Sequence, residues 1–101
     1  MGFNLIIKPI VFFDLQDAID WYESESIGLG KRFLSKVEVA KNQIINNPYH
    51  YSIFHQDVRR ILIEKFPYKI YYIINDTTVI IIGISHGKRS KAFVHRRLKL
   101  A

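Results

Sequence analysis

The sequence predicts an α+β domain in which a helical hairpin packs on a twisted, mostly antiparallel sheet, in the order βααβββ with a short final helix. Two neighbouring segments of helical periodicity precede residue 48, and three β-rich segments with short connections follow them. A chain of 101 residues has room for one compact core, so we expect a single domain over residues 1–101.

An opening strand and a first helix are predicted on either side of Pro9. Phe3, Leu5 and Ile7 alternate with other residues, as in a strand that buries one face. Proline suits the first turn of a helix. Apolar residues then recur at helical spacing: Val11, Phe12, Leu15, Ala18, Ile19 and Tyr22. A Gly-Leu-Gly segment at 28–30 marks the exit from this helix.

The second helix is expected to end at Asn46-Asn47-Pro48, because proline cannot continue the backbone hydrogen-bond ladder. Its apolar stripe consists of Leu29, Phe33, Val37, Ala40 and Ile44. Residues 48–56 follow neither periodicity and predict a surface connection that Tyr49, Tyr51 and Phe54 pin to the core.

Three strands are predicted to begin near Val58, Tyr68 and Thr78. The connections Phe66-Pro67 and Asn75-Asp76-Thr77 are too short for a parallel crossover, so the strands should form an antiparallel meander. Residues 88–98 predict a short helix. Its inward side is expected to consist of Phe93, Val94 and Leu98, and its outward side of Lys91, Arg96, Arg97 and Lys99.

Both faces of the meander are apolar. Alternation places Tyr72 and Tyr71 on opposite faces, and it places Ile84 on the same face as Ile80 and Ile82. One helical hairpin covers only one face. We expect the C-terminal segment to be too short to cover the other, which leaves that face to a second copy of the chain, as a homodimer, or to a partner protein.

The two halves of the chain differ in net charge. Residues 1–56 contain five basic and six acidic residues, whereas residues 57–101 contain ten basic and three acidic ones. Such an asymmetry favours a polyanionic or acidic partner. The chain contains no cysteine and shows no signal peptide or long apolar segment, which predicts a cytoplasmic protein without a membrane span.

No cofactor or metal is predicted. His50 and His55 are accompanied only by Asp57 as a nearby carboxylate and by no cysteine, so they match no metal-ligand spacing. The sequence contains no phosphate-binding glycine motif.

The chain resembles toxins of the RelE/ParE superfamily, found in bacterial type II toxin–antitoxin modules that are also called plasmid stabilisation systems. The resemblance covers nearly the whole length. The matching segments are Lys8-Pro9, Asp20-Trp21-Tyr22, Leu29-Gly30-Lys31-Arg32-Phe33-Leu34, Asn47-Pro48, Val58-Arg59-Arg60, Phe66-Pro67-Tyr68-Lys69-Ile70-Tyr71-Tyr72 and His86-Gly87-Lys88-Arg89.

The resemblance implies a growth-inhibiting toxin that a cognate antitoxin neutralises by wrapping it with helix and strand elements. ParE-like members inhibit a protein target, DNA gyrase, whereas RelE-like members cleave messenger RNA on the ribosome. RelE-type nucleases typically carry a tyrosine near the C-terminus, and this chain ends without one, which favours the ParE-like alternative. A RelE-like endoribonuclease, and a non-toxic member that retains only the antitoxin-binding surface, stay open as alternatives.

Each alternative implies its own site residues. A nuclease would draw its phosphate-neutralising and proton-transferring groups from Arg59, Arg60, Lys69, His86 and Arg89. Partner binding would involve aromatic and basic residues outside that set, namely Trp21, Tyr71, Tyr72, Phe93, Arg96 and Arg97.

Overall fold

The computed structural model describes residues 2–87 and 91–100. Its elements follow the predicted order with one addition. They are β1 (Asn4–Ile7), α1 (Pro9–Glu25), α2 (Leu29–Asn46), β2 (Ile53–His55), β3 (Val58–Leu62), β4 (Tyr68–Asn75), β5 (Thr78–His86) and α3 (Lys91–Leu100). No helix in the described ranges combines the length and the apolar character needed to cross a lipid bilayer.

One five-stranded sheet has the order β1-β5-β4-β3-β2, with β1 parallel to β5 and the other neighbours antiparallel. The predicted α+β class and the antiparallel meander are therefore confirmed. The strand β2 was not predicted. It contains three residues and pairs with β3 through an irregular register, which is too short a segment for alternation to reveal.

The helical hairpin α1–α2 packs on the face of the sheet that we call the hairpin face. The buried residues of this core include Val11, Ala18, Phe33, Val37, Ala40, Ile44, Ile61, Ile70, Tyr72, Val79 and Ile81. Gly30 allows the two helices to approach closely, because a Cβ there would lie 2.8 Å from the Ile19 carbonyl oxygen. The Glu23 carboxylate accepts hydrogen bonds from the backbone amides of Gly28 and Gly30. These amides lie at the start of α2 and have no acceptor within the helix.

The helix α3 packs on the opposite face, which we call the α3 face. Phe93 and Val94 form a second core with Val58, Tyr71 and Ile82. Gly83 makes room for the aromatic ring, because a Cβ there would lie 3.2 Å from Phe93. The expectation that the C-terminal segment is too short to cover this face is therefore wrong for its centre.

The strand β5 contains a bulge that changes which residues face α1 and α2. Tyr71 pairs with Gly83 and Tyr72 pairs with Ile81, so Ile82 is the extra residue. Beyond the bulge the alternation is reversed. Ile84 consequently packs in the core of the hairpin face and not beside Ile80 and Ile82, which corrects the prediction from simple alternation.

Candidate functional site

The residues that a nuclease would use divide between the two faces of the sheet. Arg59 pairs in register with Tyr72, and Arg60 pairs with Tyr71. Because Tyr72 belongs to the core of the hairpin face and Tyr71 to the core of the α3 face, the two arginines extend in opposite directions, as alternation predicts.

Arg59 holds the connection between α2 and β2 against the sheet. Its Nη1 donates to the carbonyl oxygens of Tyr51, at 2.7 Å, and Tyr49, at 3.2 Å. Its guanidinium carbon also lies 5.3 Å from the centre of the Tyr49 ring. The position of Arg59 thus serves the local fold of residues 48–52.

The Tyr72 hydroxyl reinforces the same connection by donating to the Pro48 carbonyl oxygen at 2.6 Å. The side chain is fully buried. Burial raises the pKa of Tyr72 to about 12, and the nearby Arg59 guanidinium opposes that shift. Tyr72 therefore stays neutral and forms part of the core.

Arg60 lies on the α3 face, where its guanidinium carbon is 4.0 Å from the centre of the Phe54 ring. Burial raises the pKa of the neighbouring Tyr71, and the positive charge of Arg60 counteracts this shift. Lys69 points to the same face, two positions along the adjacent strand, and its Nζ lies 3.4 Å from the Gly87 carbonyl oxygen. Arg60 and Lys69 thus share the α3 face.

His86 ends β5 on the hairpin face, with its exposed ring 5.6 Å from that of Tyr68. Arg89 lies outside the described residues. Of the four remaining candidates, two lie on each face of the sheet.

The predicted partner-binding residues differ in accessibility. Tyr71 and Tyr72 are 0 % exposed and Phe93 is 8 % exposed, so these three are core residues of the folded chain. Arg97 turns inward, contrary to the predicted outward orientation, and is bound by Asp14. Trp21 and Arg96 are exposed and remain accessible to a partner.

Two further aromatic side chains, outside the predicted partner-binding set, are exposed on α1. Phe12 and Phe13 are 55 % and 72 % exposed, similar to Trp21 at 58 %. Phe12 was predicted in the core stripe, and this assignment is wrong, because the ring is more than half exposed while the preceding Val11 is buried. Exposed aromatic side chains are enriched where proteins bind one another.

A cavity of about 280 Å³ opens where α1, α2 and the β3–β4 turn meet. Its apolar floor contains Tyr22, Leu29 and Phe66, and its rim carries Arg32, Lys36 and Lys65. We call it the basic cavity. Burial raises the pKa of Tyr22, and Tyr68 adds to the shift, so the floor is neutral beneath a cationic rim.

The described part of the chain offers no set of metal ligands. No three side chains of histidine, cysteine, aspartate or glutamate are grouped there in a way that could hold an ion. The arrangement offers basic and aromatic surfaces, which suit binding to a macromolecule.

The chain is similar to known proteins in sequence and in fold. The family model described as the ParE toxin of type II toxin-antitoxin systems, parDE, matches residues 5–91. Comparison with curated protein sequences finds no significant match.

Solved toxins share the fold at low sequence identity. A double arginine-to-alanine variant of E. coli toxin RelE in the free state aligns with a TM-score of 0.71 and 12 % identity over 100 % of both chains. The isolated E. coli RelE toxin aligns with a TM-score of 0.63 and 12 % identity over 98 % of this chain and 99 % of that chain. A chain of the chromosomal ParDE system from P. aeruginosa aligns with a TM-score of 0.61 and 18 % identity over 83 % of this chain and 95 % of that chain.

Proposed function

Because this chain belongs to the ParE toxin family of type II toxin–antitoxin systems, we propose that it inhibits growth by binding a protein target such as DNA gyrase. Membership of the family implies an antitoxin as partner. A target that acts on chromosomal DNA also implies action in the cytoplasm. The binding surface in this proposal is built from exposed aromatic and basic side chains, with no covalent step.

The observation that carries this proposal is the separation of the candidate nuclease groups. Cleavage of RNA requires an acid and a base within hydrogen-bonding reach of one phosphodiester, with cations beside it. Arg59 and His86 lie on the hairpin face, whereas Arg60 and Lys69 lie on the α3 face. The Nη1 of Arg59 also donates hydrogen bonds to two backbone carbonyl oxygens. This arrangement supports binding over catalysis.

The exposed aromatic residues of α1 are the surface that we assign to the target. Phe13 and Trp21 are both more than half exposed on α1. Large aromatic side chains contribute a disproportionate share of binding energy at protein interfaces. Removing them should therefore weaken target binding with little effect on the core.

Inducible expression of the chain without its antitoxin tests the proposal. We expect growth arrest with induction of the DNA-damage response, and inhibition of gyrase supercoiling by the purified protein. Trp21→Ala and Phe13→Ala should relieve both effects, whereas Val39→Ala, an apolar and half-exposed control on α2, should relieve neither. Normal growth of cells that accumulate the folded wild-type protein would contradict the proposal.

One observation favours messenger RNA cleavage as a second candidate. Arg60 and Lys69 share the α3 face and flank the buried Tyr71 across two adjacent strands. Cationic side chains on one face suit contact with a phosphate backbone. Cleavage of ribosome-bound message by the wild-type protein, lost in Lys69→Ala, would support this candidate, and intact message during growth arrest would remove it.

A further inference from the structure

The basic cavity is lined by three cationic side chains, of which only Lys36 forms an ion pair among the described residues. Lys36 donates to the Glu64 carboxylate at 2.7 Å, and this hydrogen bond lowers the pKa of Glu64. Among the described residues, Arg32 and Lys65 have no carboxylate within ion-pair distance. Arg32 and Lys65 therefore lie at the rim of the cavity without an ion pair, although the charge of Lys65, like that of Lys36, helps to lower the pKa of Glu64.

Lys65 occupies its position at a conformational cost. Its φ of 69° lies in the left-handed region, where a side chain is disfavoured by about 1 kcal/mol. The turn is closed by the Phe66 amide, which donates to the Ile63 carbonyl oxygen at 3.2 Å. Glycine is the residue that turns of this kind favour. Despite this strain, the turn places both Lys65 and Phe66 in the lining of the cavity.

Aromatic rings pack closely at the floor of the cavity. The Tyr22 and Phe66 rings meet edge to face with centroids 4.8 Å apart, and Phe33 lies 5.2 Å from Tyr22 and 5.1 Å from Phe66. These contacts join the three rings into one aromatic cluster beneath the cavity. The volume of about 280 Å³ is also smaller than most small-molecule sites and fits one inserted side chain.

We propose that the basic cavity binds an acidic peptide segment of a protein partner. The segment inserts one apolar side chain over Tyr22 and Phe66, and carboxylates on either side of it pair with Arg32 and Lys65. The inference rests on the proposed function, in which proteins bind and neutralise the toxin. Charge complementarity and an apolar floor select an acidic peptide, because a nucleic acid would supply phosphates without the apolar anchor.

A labelled synthetic peptide with one leucine flanked on both sides by glutamates serves as the probe, with binding followed by fluorescence anisotropy. The matched control peptide carries glutamine in place of glutamate. Arg32→Gln and Lys65→Gly should each bind the acidic peptide about tenfold more weakly. Lys65→Gly relieves backbone strain, so any loss of binding cannot be attributed to loss of folding. Lys31→Gln, an exposed neighbour outside the cavity, should bind like the wild type.

Several outcomes would overturn the inference. The first is that the wild-type protein does not bind the acidic peptide, and the second is that it binds the glutamine peptide as tightly as the acidic one. The third is that Lys31→Gln weakens binding as much as Arg32→Gln does. The fourth is that the protein binds a short single-stranded RNA more tightly than the acidic peptide and that Arg32→Gln abolishes this RNA binding. Measuring growth arrest by the wild type and the same variants distinguishes a failure of the cavity proposal from a failure of the proposed function. Arrest without peptide binding contradicts the cavity alone, whereas peptide binding without arrest contradicts the proposed toxicity alone.

Discussion

Asp14 and Arg97 form a bidentate ion pair, with both oxygen–nitrogen distances at 2.7 Å, that joins α1 to α3 across the edge of β5. The pair also binds the backbone of that strand. Asp14 accepts a hydrogen bond from the Ile84 backbone amide at 3.1 Å, and Arg97 donates one to the Ile82 carbonyl oxygen at 3.0 Å.

The pair takes the place of a neighbouring strand. The register of β1 along β5 ends at Ile81, where Ile7 is the last partner, so the later part of β5 has a free edge. Unpaired backbone groups at partly buried edges cost free energy and invite other strands. Asp14 and Arg97 satisfy two of these groups and connect the two helical layers at the same point.

Breaking this pair should strongly destabilise the protein. Both side chains are largely buried, and removing one partner leaves the other charge buried without compensation. We expect Arg97→Met and Asp14→Asn each to lower the free energy of unfolding by about 3 kcal/mol, measured by urea denaturation.

The double variant and a neighbouring arginine provide the controls. Asp14→Asn combined with Arg97→Met should cost clearly less than the sum of the single changes, because the buried charges disappear together. Arg96→Met, which removes an exposed cation from the same helix, should change stability by less than about 0.5 kcal/mol. Additive single effects would show that the two residues act independently.

The Tyr72 hydroxyl predicts a specific alkaline response. The folded-state pKa is raised to about 12 from 10.0, so between these values the unfolded chain loses a proton that the folded chain retains. The stability contributed by the neutral hydroxyl is fully present below pH 10 and is lost as the pH rises towards 12. Urea denaturation from pH 7 to 12 measures this loss.

Tyr72→Phe isolates the contribution of the hydroxyl. At neutral pH the variant should be less stable by about 1–2 kcal/mol, because the Pro48 carbonyl loses its donor. The difference between wild type and variant should stay constant up to about pH 9 and then shrink, since phenylalanine does not ionise. A difference that stays constant to pH 12 would contradict the raised pKa.

The elements with regular periodicity could be predicted from sequence, and the contacts between distant segments could not. The stripe from Phe33 to Ile44 identified α2 because helix propensity and burial agree there. The orientation of Ile84 was missed because one extra residue in β5 reverses the alternation, and a bulge leaves no compositional signal.

The candidate sites depend on such distant contacts. Asp14 and Arg97 are 83 positions apart, and each looks like an ordinary surface charge in its own helix. The rim of the basic cavity likewise combines Arg32 and Lys36 from α2 with Lys65 from a turn. The charge asymmetry of the sequence indicated a basic surface, but only the fold shows which cations surround an apolar floor.

Gly30 should be intolerant of any side chain. A Cβ at this position would meet the Ile19 carbonyl oxygen at 2.8 Å, and backbone cannot move aside as a flexible side chain would. Gly30→Ala should therefore lower the free energy of unfolding by about 2 kcal/mol, although alanine favours helix formation. Ser35→Ala, on the exposed side of α2, controls for propensity and should be neutral or slightly stabilising. A stabilised Gly30→Ala protein would show that the hairpin can open without cost.

Phe93 tests whether α3 covers the second face of the sheet as an integral layer. Its ring packs over Gly83 and beside Tyr71, with ring centroids of the two aromatics 6.1 Å apart. Phe93→Ala removes the centre of this contact and should cost about 3 kcal/mol in urea denaturation. His95→Ala removes an exposed side chain from the same helix and should cost little. A stable Phe93→Ala protein would mean that the core of the α3 face holds without this ring.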